Sequence, residues 1–163
     1  MIWIGIDNGV SGGLVALSES SAVLSSLPMP VQKARKGNDV DINIVDLWIS
    51  ALIKEQGGPA TIIIEEPGGS KSAKAATSMA GSFHGLRCLC MLRAYRWHRI
   101  TPQLWQKEML PGCKAGDTKP RALEAVRRLW PDQSFLASDR CKVPHEGLVD
   151  AALIAEYARQ KGL

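Results

Sequence analysis

The sequence predicts an α/β fold, a mixed five-stranded sheet flanked by helices on both faces, and three observations carry the prediction. Two almost wholly apolar runs, Ile2-Trp3-Ile4-Gly5-Ile6 and Thr61-Ile62-Ile63-Ile64, have the look of central strands buried on both faces. Segments of helical period separate the later strands, so strands and helices alternate along the chain. Clusters of Gly, Pro, Asn and Ser punctuate the boundaries between them. At 163 residues and 45% hydrophobic composition, the chain has material for one domain, 1–163, with a substantial core.

Taken in order, the first strand runs through Ile6 and ends at Asp7, where Asp7-Asn8-Gly9 and Ser11-Gly12-Gly13 supply turn residues. Leu14 to Leu17 and Val23 to Leu27, separated by polar Ser18 to Ser21, complete an antiparallel meander that Pro28 and Pro30 close. Gln32 to Asp39 contains Lys33, Arg35 and Lys36 with no hydrophobic period, and is expected to be a mobile basic loop. Ile44, Leu47, Trp48, Ala51 and Leu52 then fall at helical spacing, and Gly57-Gly58-Pro59 stops that helix before the strand ending in Glu65.

The segment from Pro67 to Lys74 is rich in Gly and Ser and is expected to be an exposed loop. Met79, Phe83, Leu86 and Leu89 share one face of the helix that follows, a face suited to the core or to a dimer contact. Arg96 to Ile100 reads as the last strand, Thr101-Pro102 as a helix start, and Thr118 to Trp130 as a further helix. Pro131 to Pro144 is irregular, and Gly147 to Ala158 forms a packed terminal helix.

Charge and cysteine usage narrow the function classes. Twenty Lys and Arg against 16 Asp and Glu give a net charge of +4 and a pI near 9.0, which suits a polyanionic partner without requiring one. Cys88, Cys90, Cys113 and Cys141 lack metal-site spacing, and Cys88 and Cys90 are expected to be small buried core residues. No signal-peptide pattern or long apolar run is present, so a cytosolic protein with reduced thiols is expected.

The chemistry lies in the acids. Asp7 and Glu65 each follow a buried strand, and Glu146 and Asp150 are one helical turn apart near the C-terminus. Carboxylates gathered at strand tips repel one another unless a divalent cation neutralises them, and Mg²⁺ prefers such oxygen ligands. The pattern is that of a metal-dependent nuclease. Three of the four acids also have a plainer explanation: Asp7 as a turn cap, and Glu146 with Asp150 as acids favourable to a helix N-terminus. Glu66 adjoins Glu65, and strand alternation sends the two to opposite faces, so only one can join Asp7.

Four stretches together resemble the RuvC-like Holliday junction resolvases, particularly bacteriophage and organellar members. They are Gly5-Ile6-Asp7-Asn8-Gly9, the strand ending in Glu65, Thr101-Pro102-Gln103-Leu104-Trp105-Gln106-Lys107, and His145-Glu146-Gly147-Leu148-Val149-Asp150-Ala151. The resemblance spans nearly the whole chain. It implies a ribonuclease H-like fold, a homodimer, and a crossover junction endodeoxyribonuclease of DNA recombination and repair, working in the bacterial host cytoplasm if phage-encoded. It further implies two Mg²⁺ or Mn²⁺ ions per site, about 4 Å apart, held by Asp7, Glu65, Asp150 and Glu146.

Glu146 departs from the pattern. It stands one residue further from Asp150 than the matching acid of several bacterial relatives, and it is Glu where Asp is common, so His145 is the alternative. The resemblance also makes Lys107 a candidate to orient the scissile phosphate or the attacking water, against the plainer reading of a snorkelling helix lysine.

Lys71, Lys74, Lys114, Lys119, Arg35 and Arg121, with Lys107, are candidate phosphate contacts, because they sit in Gly- or Pro-bearing loops or at helix starts near the acids. In the resembled family the Ser70 to Ala76 neighbourhood approaches the junction centre. The competing readings are a nuclease for branched DNA in general or for RNA/DNA hybrids, and a junction-binding protein without catalysis. An actin-like ATPase fragment would need a second domain for which there is no room.

Overall fold

The computed structural model describes residues 1–35, 37–69, 72–112 and 117–163. Strands β1 (Ile2–Asp7), β2 (Gly13–Leu17) and β3 (Val23–Pro28) form the expected meander, followed by β4 (Val31–Ala34), β5 (Gly37–Val40) and helix α1 (Ile42–Gln56). Then come β6 (Ala60–Glu65), α2 (Ala73–Leu92), β7 (Arg96–Ile100), α3 (Pro102–Met109), α4 (Thr118–Leu129) and α5 (Glu146–Lys161). The main sheet has the order β3-β2-β1-β6-β7, with β1 antiparallel to β2 and parallel to β6. It is the five-stranded mixed sheet the sequence predicts.

Register decides which side each residue takes. Ile6 lies opposite Ile64 in the parallel β1–β6 pair, so one step further brings Asp7 abreast of Glu65. Even-numbered Ile2, Ile4, Ile6, Ile62 and Ile64 pack with α1 and α2, while Trp3, Ile63 and Ile100 pack with α3, α4 and α5. Asp7 and Glu65 share the parity of Trp3 and Ile63, which puts both on the α5 side.

Helix α5 reaches the sheet because glycine lets it. A Cβ on Gly5 would stand 2.1 Å from the Ala151 carbonyl oxygen and 2.6 Å from the Ala155 nitrogen. At the helix start, a Cβ on Gly147 would stand 2.4 Å from the Gly12 Cα. These backbone approaches set the height of α5 over β1, and Asp150 adjoins Ala151. Gly5→Ala is therefore expected to cost about 2–3 kcal/mol, because two backbones must part, and urea denaturation measures it.

The far end of α5 is held by Glu156, which is 2% exposed. Its carboxylate accepts hydrogen bonds from Ser21 Oγ (2.7 Å), from Arg159 Nε and Nη2 (2.7 Å each) and from Gln160 Nε2 (2.8 Å). Burial pushes its pKa up, but these donors outweigh burial and leave it below the usual range. The near end is capped by His145, whose Nδ1 accepts the Leu148 N–H at 3.3 Å. The irregular stretch before it is anchored by Phe135, which is buried edge-on against Trp130 and accepts the His145 N–H on its own backbone carbonyl.

Three expectations are corrected. The basic stretch is not a loop: β4 and β5 pair as an antiparallel hairpin in which Ala34 faces Gly37, the latter at φ +100°, while Lys36 lies outside the described residues. Its residues are mostly exposed, so backbone pairing rather than a buried face makes the strands, and no hydrophobic period marks them. Helix α2 begins earlier than its apolar face suggests, capped by Ser72, so Lys74 lies in its first turn rather than in a loop. Cys90 is buried as expected, but Cys88 is exposed, since the two lie 200° apart around a helix that buries one face. Among the described residues, no helix is long and apolar enough to cross a membrane.

Candidate active site

At the carboxyl ends of β1 and β6, three elements deliver three acids to one place. Asp7 ends β1, Glu65 ends β6, and Asp150 lies one turn into α5. All three are half-buried. Burial pushes Glu65 up to about 7, and the charges of Asp7 and Asp150 push it the same way. Asp150 is likewise raised to about 7, by burial first and then by Asp7 and Glu146. Asp7 is raised by burial, partly offset by the Gly9 N–H and by His145. Glu65 and Asp150 are each repelled by Asp7, which makes Asp7 the common member of the cluster.

The chain orients these side chains before any ligand arrives. The indole N–H of Trp105, a fully buried residue of α3, donates to Glu65 Oε1 at 2.7 Å. The Gly9 N–H donates to Asp7 Oδ1 at 3.3 Å. Asn8, 1% exposed, donates its side-chain N–H to the Glu65 backbone carbonyl and so ties the tips of β1 and β6 together. Among the described residues, its Oδ1 is buried without a hydrogen-bond partner. In the sequence Asn8 reads as a turn residue and Trp105 only as part of the Thr101 to Lys107 stretch, because neither partner choice leaves a local mark.

Trp105→Phe removes a donor to the charged form of Glu65, so the Glu65 titration is expected to rise by about one pH unit. The pH midpoint of Mn²⁺ binding measures the shift. A midpoint that does not move would show that the indole only fills space.

Glu146 is differently placed. It opens α5 with a side chain 65% exposed, and Lys119 Nζ donates to its Oε2 at 2.6 Å. Glu66, as alternation requires, turns away from Asp7 and pairs with Arg99 at 3.3 Å. Lys107 lies on the exposed side of α3, 200° around the helix from Trp105. Lys74 is exposed in the first turn of α2, Arg35 is exposed at the hairpin turn, and Arg121 pairs with Glu124 at 3.0 Å. Lys71 and Lys114 lie outside the described residues.

Among the described residues, no group of three or more His, Cys, Asp or Glu side chains is arranged to hold a metal ion. The donor set nevertheless suits a hard divalent cation. It is made of carboxylate oxygens, and burial first, then repulsion by neighbouring acids, holds Glu65 and Asp150 above the usual carboxylate range. Asp7, Glu65 and Asp150 are the residues that would hold such an ion, with Glu146, paired to Lys119, as a fourth candidate.

Neither a family model nor a curated protein sequence matches the chain. Two solved structures are similar to it over nearly its whole length. RuvC of T. thermophilus in complex with a Holliday junction substrate superposes with a TM-score of 0.64, covering 99% of this chain and 96% of that one at 16% identity. A second structure of Thermus thermophilus RuvC gives a TM-score of 0.60 at 16% identity, covering 99% of this chain and 97% of that one. The fold is therefore the ribonuclease H-like fold of RuvC, as the resemblance in the sequence implies.

Proposed function

We propose that a chain with this fold and this acid cluster is a structure-selective endonuclease that resolves four-way DNA junctions. The supporting observation is the convergence of Asp7, Glu65 and Asp150, from two strand tips and a helix, on one half-buried spot where burial and mutual repulsion raise their pKa values. In this reading residues 1–163 are a single nuclease domain. Two Mg²⁺ or Mn²⁺ ions held by Asp7, Glu65, Asp150 and Glu146 would supply an activated water and charge stabilisation for phosphodiester cleavage that leaves 5′-phosphates. Trp105 and the Gly9 N–H fix the carboxylate orientations, and Asn8 fixes the distance between the strand tips.

Lys119 is suited to a double duty. Paired with Glu146, it stands at the mouth of the site, where an incoming phosphate can take its charge as Glu146 turns inward. Lys74, Arg35 and Lys107 offer further phosphate contacts, with Lys71 and Lys114. Paired symmetric nicks across a two-fold junction require two active sites, which the reading supplies as a homodimer. Lys74→Ala combined with Lys119→Ala is expected to weaken junction binding and reduce the dependence of log Kd on log salt by about two units, read by titration at several salt concentrations.

The test is incubation of the protein with a labelled, sequence-mobile four-way junction, in Mg²⁺ and in chelator. Paired, ligatable nicks in Mg²⁺ alone are the expected result. Equal cutting of three-way, flap and RNA/DNA hybrid substrates would broaden the reading, and tight binding without cutting would replace it with a binding role.

A further inference from the structure

Beside the acid cluster, between α4, the start of α5 and the segment leading into it, lies an open cavity of about 330 Å³. Pro120, Leu123, Val143, Pro144 and Val149 line it, together with the charged Lys119, Glu146 and Asp150. We propose that this cavity is a nucleobase pocket, which takes the unstacked base of the nucleotide next to the scissile phosphate. The inference rests on the nuclease reading and adds to it the element that sets sequence preference.

Continuity is the first argument. Asp150 belongs both to the acid cluster and to the lining of the cavity. A phosphate held at the cluster leaves its neighbouring base within one nucleotide's reach of the apolar walls. The second argument is chemical. The walls carry aliphatic and proline side chains, and flipped or splayed bases are held between such apolar surfaces. The volume is at the lower end for small-ligand pockets, suited to one ring system rather than to a helix or strand.

Val143 supplies the third. It is 73% exposed, an apolar side chain left in water that a stacked base would cover. The wall it belongs to is fixed, because the segment is pinned through buried Phe135 and the His145 backbone. Finally, Lys119 in the lining provides the positive charge that a nucleotide's phosphate requires while its base enters the cavity.

Branch preference follows from the same geometry. A base inside continuous duplex must break its pair and its stacking to enter, whereas a base at a crossover has already lost part of both. The pocket would thus favour junctions over duplex even without contacts to the other arms.

The experiment places one abasic site in turn at each nucleotide flanking the cut in a four-way junction. Cleavage in Mg²⁺ is measured for the parent and for Val143→Trp, which fills the cavity from an exposed position and so leaves the fold intact. At one position next to the cut, base removal is expected to slow the parent about tenfold, and Val143→Trp is expected to slow cleavage of the intact junction by a similar factor. The two losses are expected not to multiply, because both empty the same contact. In chelator, 2-aminopurine at that position is expected to brighten when the parent binds and not when Val143→Trp binds.

Parent cleavage indifferent to every abasic site, or losses that multiply, would overturn the pocket while leaving the nuclease reading in place. A parent protein that cuts no junction would remove the nuclease reading and the pocket with it.

Discussion

Asp7→Asn is expected to lower junction cleavage by about three orders of magnitude or more, measured as single-turnover rates in Mg²⁺. The substitution keeps shape and hydrogen-bonding capacity while removing one charge. Glu65 and Asp150 both feel Asp7, so no other carboxylate of the cluster can replace it as the member common to both. Junction binding in chelator is expected to stay within about threefold, since phosphate contacts rather than acids dominate affinity. Cleavage at even a tenth of the parent rate would show that Asp7 is a turn residue and that the cluster does other work.

The same variant carries a second signature. Removing the Asp7 charge relieves the repulsion that raises Glu65 and Asp150, so the metal-free variant is expected to be more stable than its parent above neutrality. A loss of activity joined to a gain in stability distinguishes a functional charge from a structural one.

How much of this was legible beforehand depends on what each residue touches. The strand tips were readable because an Ile run buried on both faces can end in an acid only where the sheet meets solvent, and both runs do so. Strand alternation then allowed only one of Glu65 and Glu66 to join Asp7, the family resemblance chose Glu65, and helical spacing joined Glu146 to Asp150. The β4–β5 hairpin was not readable, because strands exposed along most of their length, with Val40 reaching the core, have no apolar alternation and are held mainly by backbone pairing.

Trp105 and Glu156 were hidden for a different reason. The Trp105 partner Glu65 lies 40 residues away, and the Glu156 partner Ser21 lies 135 away, beyond Arg159 and Gln160 on its own helix; side-chain hydrogen bonds of such range leave no periodic trace. Gly5 lies between these cases. A glycine inside a strand signals close backbone approach, but only the structure names Ala151 and Ala155 as what approaches. Gly147 is similar, and it also bears on Glu146. With the Gly12 backbone against position 147, a side chain there has no space, so an acid at the start of α5 must come from position 146.

The metal-free protein is expected to lose stability as pH rises from about 5 to about 8, with Tm falling by about 5–10 °C. The sign follows from the carboxyl groups. Glu65 and Asp150 ionise near 4.5 and 3.8 in an unfolded chain and at about 7 in the fold. Between those values the folded state binds more protons than the unfolded state, so every step upward in pH favours unfolding until both groups are ionised. A shift of this size corresponds to about 3 kcal/mol for one carboxyl, and coupling within the cluster makes the total smaller than a simple doubling.

Above neutrality the fold therefore holds repelling, poorly hydrated charges, and a cation that binds them returns what burial removed. At about pH 8, Mg²⁺ or Mn²⁺ at a hundredfold its Kd is expected to recover about 2.7 kcal/mol, and chelator to reverse it. At about pH 5 the same addition is expected to change Tm little, because protonated carboxyls are poor ligands. Scanning calorimetry at both pH values, with metal and with chelator, reads all four states. A metal-induced rise in Tm that is equal at the two pH values would place the cation elsewhere than on Asp7, Glu65 and Asp150.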